Sequence, residues 1–170
     1  MDDPSARIPG GITRLTDHEL HSHAVRLART VELPDPFDFD LFMASFNATR
    51  ERGVLIAGLP GVHASGRSGL YVRFRDEGAL DSIAYEKHTS PLHQLLIVFH
   101  EVAHILWREA GFASPGSDLL ELRCDDPTEE RAAELIATLL AARVGVPPDP
   151  PPESGLPAGL LDSIGRHEHR

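Results

Sequence analysis

Apolar residues recur at helical spacing through the first fifty positions. Leu20, Ala24, Leu27 and Ala28 fall on one stripe, Thr16 stands where an N-cap belongs, and Pro34 and Pro36 close the segment, which predicts a helix over residues 17–31. Phe39, Phe42, Met43 and Phe46 repeat the pattern and predict a second helix over 38–51, inward on its aromatic side and stopped by Gly53. The period then shortens to two. Residues 54–57, 70–74 and 82–85 are rich in β-branched and aromatic side chains, and the glycine-containing links between them suit turns between antiparallel neighbours. In the middle segment Leu70, Val72 and Phe74 alternate with Tyr71, Arg73 and Arg75, the pattern of a small sheet with one wet face.

Helical spacing returns at Ser90-Pro91, an N-cap and first-turn pair, and runs to Gly111, placed for a C-terminal cap. Asp126-Pro127 repeats the start signal, and Gly145 with Pro147 closes the segment. The expected fold class is therefore α+β: a three-stranded antiparallel sheet packed with helices in one domain over residues 1–146. From Pro147 the composition changes to Pro-Pro-Asp-Pro-Pro-Pro-Glu-Ser-Gly, an extended spacer, after which 156–164 has the pattern of one short helix and 166–170 that of a frayed end.

Composition narrows the function classes. The longest apolar run, Leu95 to Phe99, falls far short of the ~20 residues of a membrane span. The acidic start Met1-Asp2-Asp3-Pro4 leads into no apolar stretch, and a lone cysteine, Cys124, permits no intrachain disulfide; both lead to the expectation of a cytoplasmic protein. A net charge of -10 disfavours a surface that neutralises phosphates, so direct nucleic-acid binding is not expected.

The chemistry concentrates in His100-Glu101-Val102-Ala103-His104. Histidines four apart lie on one helical face, one turn apart, so both imidazoles can reach one ion while Glu101 flanks it. With 10 histidines in 170 residues, chance yields on the order of 0.05 such pentads. The pentad also interrupts a strongly apolar helix, where unpaired His and Glu would carry a burial cost. A hydrolytic zinc site takes three protein ligands and leaves a fourth position to water. The downstream helix offers Glu130 as the third ligand and Glu134, one turn on, as acceptor for the free ring N–H of a liganding histidine, on a face of small residues that lets two helices approach closely. Glu129 and Glu130 also read as simple compensation of the helix dipole at an N-terminus.

Taken together, His100-Glu101-Val102-Ala103-His104, the three strands ahead of it and Glu130-x-x-Ala133-Glu134-x-Ile136-Ala137 after it resemble the ImmA/IrrE-type zinc metallopeptidases over roughly residues 53–144. The resemblance implies a zincin-like α+β fold and an endopeptidase whose substrate is often a helix-turn-helix repressor, here necessarily a separate chain. Glu134 stands where that family commonly has Asn or Asp, and Ile136 where it commonly has Phe.

In such a site one zinc ion activates water and Glu101 shuttles its proton. Tyr85, His88 and His93 are candidates for contacting substrate or the oxyanion, although His93 lies ~10 Å along the helix from His100, too far to join the metal. His18, His21 and His23 have the wrong spacing for the pentad and read as a solvated face. His167 and His169 belong to the tail, and Cys124 is a weaker alternative ligand. Two other classes remain open: a zinc-stabilised regulatory or antitoxin-like module that binds a transcription regulator without cutting it, and a zinc hydrolase of small molecules.

Overall fold

Among the described residues, every helix starts on a side chain that accepts from its first unbonded N–H groups. In the computed structural model, which describes residues 15–62, 69–73, 80–112 and 126–146, α1 (Asp17–Thr30) opens with a reciprocal cap: Thr16 Oγ1 accepts from the Glu19 N–H, and the Glu19 carboxylate accepts from the Thr16 N–H. Asp38 caps α2 (Phe39–Ala48), Ser90 caps α3 (Pro91–Glu109) and Asp126 caps α4 (Pro127–Arg143). The last two also stop alike. Gly111 and Gly145 take φ of 80° and 79°, which lets Phe112 and Val146 donate back to Trp107 and Ala141. Helix α2 ends earlier than its periodicity suggests because Asn47 turns its side chain onto both backbone groups of Val54, the first residue of β1 (Val54–Leu59).

The sheet is mixed, not antiparallel. β3 (Asp81–Glu86) lies in the middle, parallel to β1 and antiparallel to β2 (Gly69–Val72), with Ile56 opposite Ile83 and Tyr71 opposite Ile83. β2 and β3, consecutive in the chain, are the antiparallel neighbours expected, whereas β1 passes over β2 and pairs parallel with β3, which carries Asp81, Ile83 and Tyr85 buried on one face. The alternation in β2 resolves against its hydrophobicity. Tyr71 points inward, and its hydroxyl donates to Asp81 Oδ2 at 2.8 Å while Arg52 Nε donates to Oδ1 at 3.0 Å. Burial and the Asp81 carboxylate together push the Tyr71 phenol well above its ordinary range. Leu70 and Val72 consequently face the other side, half-exposed.

Helix α3 is buried on nearly every side, between the sheet's inner face and α4. Phe42 and Phe99 meet edge to face at 5.6 Å at the centre of the core, joined by Trp107, Ile83, Ile136 and Leu140. α4, which packs on both α3 and α1, buries Ala132, Ala133, Ala137 and Ala141, small side chains that let neighbouring backbones approach closely. Among the described residues no helix is long and apolar enough to cross a membrane. The spacer and tail of 147–170 lie outside the described residues.

Candidate metal centre

Close approach of α3 and α4 brings three side chains to one point. His100 and His104 project from successive turns of α3 with Nε2 atoms 3.1 Å apart, and the Glu130 carboxylate from the first turn of α4 straddles them, Oε2 at 3.4 Å from His100 Nε2 and Oε1 at 3.5 Å from His104 Nε2. This group could hold a metal ion. With one ligand atom taken from each residue, the three lie within 4.8 Å of one another, near enough for a single ion to reach all of them after small side-chain adjustments. His104 is buried whereas His100 and Glu130 are partly exposed, so the group opens to solvent on their side.

The carboxylate that meets the far ring nitrogen is Glu129, not Glu134. Glu129 is 5% exposed and its Oε1 lies 3.3 Å from His104 Nδ1. A His104 with its proton on Nδ1 donates to that oxygen and keeps an Nε2 lone pair aimed at the common point. Burial acts to lower the pKa of His104, but the Glu129 hydrogen bond and the charges of Glu101, Glu130 and Glu129 outweigh it and hold the pKa above its ordinary value. At His100 burial dominates and, with the neighbouring His104, pushes the pKa down despite Glu130 and Glu134. Glu134 acts on His100 through its charge; its side chain is exposed and lines a cleft of about 360 Å³ between α1 and α4 with Asp17, His21 and Arg131. The signal for Glu129 was in the pattern: Glu129, Ala132, Ala133, Ile136 and Leu140 form the inward stripe of α4, whereas Arg131, Glu134 and Thr138 lie on the outward side.

Glu101, 8% exposed, is set by a residue without a side chain. A Cβ on Gly69 of β2 would lie 2.6 Å from Glu101 Oε1 and 2.4 Å from Ile97 Cγ2, so the strand approaches α3 as closely as it does only because position 69 is glycine. Nothing in the hydrophobic pattern marks Gly69. Tyr85 is buried on β3 with its ring over Gly58 of β1, where a Cβ would meet its hydroxyl at 3.0 Å. His88 and His93 are exposed around the start of α3, with backbone N–H groups held by Glu86 and Ser90. His18 and His21 are exposed as expected of a solvated face, but the His23 ring packs on Phe112 at 4.5 Å. Cys124, His167 and His169 lie outside the described residues.

No family model, no curated protein and no solved structure matches the chain.

Proposed function

We propose that the chain is a zinc-dependent metalloendopeptidase of the ImmA/IrrE type, hydrolysing a peptide bond in a separate regulatory protein such as a helix-turn-helix repressor. The observation that carries this reading is the convergence of His100, His104 and Glu130 on one point with Glu101 on the same helix, next to the first histidine. Two imidazoles and one carboxylate are the donor set of a hydrolytic zinc site, and the partly exposed side of the group leaves room for water and substrate. Zinc bound there would bring the pKa of its water toward ~7 and polarise the scissile carbonyl. Glu101 takes the proton released as the water oxygen bonds to the carbonyl carbon and passes it to the amine nitrogen as the C–N bond breaks. Burial against Gly69 limits the rotamers of Glu101, and Glu129 holds the His104 ring in orientation.

The test is metal content by mass spectrometry on tag-free protein lacking the tail histidines (H167A/H169A), followed by proteolysis. About one zinc per chain is expected, lost in H104A and in E130A. E101Q is expected to keep the zinc and to lose cleavage of a repressor that the parent cuts. Zinc retained with no cleavage by the parent would favour the silent binding module, and absence of zinc after addition would remove the metal-site reading altogether.

A further inference from the structure

The sheet has a second face that the candidate metal centre does not use. Strand register places Leu55, Ala57 and Leu59 of β1, Ser82, Ala84 and Glu86 of β3, and Leu70 and Val72 of β2 on the side away from α3, with Glu86 opposite Leu59 bounding the apolar part at that end. No charged side chain interrupts the rows Leu55–Ser82–Val72 and Ala57–Ala84–Leu70. Leu80 extends the patch, its side chain lying over Gly53. Leu55, Leu59 and Leu80 are 56%, 47% and 53% exposed, three of the four large hydrophobics that stand out in this way among the described residues. A contiguous apolar face of this kind is normally covered by something.

We propose that it is covered by the chain's own residues 156–164. Read at 100° per residue, Leu156, Leu160 and Ile164 fall within an 80° arc with Leu161 60° beyond, while Asp162 falls on the other side and Ser163 stands 20° before Leu156 at the edge of the arc, so this segment has one mainly apolar stripe. The nine residues 147–155 are proline-rich, and at ~3.1 Å per residue they reach roughly 28 Å, most of the way across a domain of this size. Tethering on that length gives an effective concentration in the millimolar range, whereas a second copy would have to bring two chains of net charge -10 together. The apolar stripe on the apolar face adds a layer opposite α3 and turns the sheet into the middle of a three-layer sandwich.

Hydrogen exchange on the full-length protein tests this. The tail variant L160E/I164E is expected to speed amide exchange across residues 54–59 and 70–72 by about tenfold or more, and the face variant L55E to do the same to 156–164. Since L160E/I164E alters no residue of the core, its result stands even if L55E fails to fold. Unchanged exchange of β1 and β2 in L160E/I164E overturns the proposal. So does exchange of 156–164 at the unprotected rate in the wild type, or protection of the face that depends on protein concentration and ignores the tail substitutions, which would assign the face to a second copy.

Discussion

Gly69→Ala adds one methyl group where strand β2 meets helix α3. The new carbon would lie 2.4 Å from Ile97 Cγ2 and 2.6 Å from Glu101 Oε1, against 3.4–4 Å for ordinary contact. Neither neighbour can swing into solvent, since both Ile97 and Glu101 are buried on a helix packed on its other sides by the core. The strand must lift or the two side chains must leave their rotamers, a form of overpacking that costs about 1–3 kcal/mol. For a domain of this length that lowers the melting temperature by roughly 3–10 °C. The Glu101 carboxylate has to retreat by about 0.8 Å to regain 3.4 Å, enough on general grounds to cost about 10²-fold in a proton-transfer step that depends on its position. On the proposed zinc-site reading, metal content is expected to stay at the wild-type level, because a Cβ on Gly69 would meet none of His100, His104 and Glu130. Thermal melting by circular dichroism and metal analysis on the same sample measure both. Ile97→Ala removes Cγ2, so G69A/I97A should be less destabilised than the sum of the single variants by about 0.5 kcal/mol or more. A G69A protein that melts within about 1 °C of wild type would refute the close approach and, with it, the account of how Glu101 is held.

Two further substitutions separate competing assignments. E129A should weaken zinc affinity about 10–100-fold while E134A changes it about threefold or less, measured by competition with a chelator; equal losses would return the ring-orienting role to Glu134. D81A removes the shared partner of Arg52 and Tyr71 from a site where Asp81 is almost fully buried and should cost about 3–5 kcal/mol in urea unfolding, whereas Y71F, which deletes one hydrogen bond to a charged acceptor, should cost about 1.5–3 kcal/mol; a D81A loss no greater than that of Y71F would mean that the Arg52 ion pair contributes nothing.

Local chemistry made much of this protein legible from its residues. The start of each described helix depends on one side chain accepting from N–H groups two or three positions on, so Thr16, Ser90 and Asp126 mark helix starts without reference to the rest of the chain, while Asp38, read as the first helical residue, is the cap of α2. The 3.6-residue period likewise places His100 and His104 on one face, and a dipole-favoured acid at the start of the next helix supplies Glu130. Other features were decided between elements far apart in sequence. Which strand occupies the middle of the sheet depends on which face the core can bury, and β3 took that place because Asp81, Ile83 and Tyr85 fit under α3; β1 then had to run parallel to it. Tyr71 turned inward because Asp81 and Arg52 satisfy its hydroxyl there, an arrangement that outweighs the greater hydrophobicity of Leu70 and Val72. The choice of Glu129 over Glu134 as the partner of His104 follows from the rotation of α4 about its axis, which buries Glu129 with Ala133, Ile136 and Leu140 and leaves Glu134 exposed. Gly69 matters only because another backbone and a carboxylate arrive beside it. Spacing along the chain determined which side chains can share a helix face; packing between elements determined which of them meet.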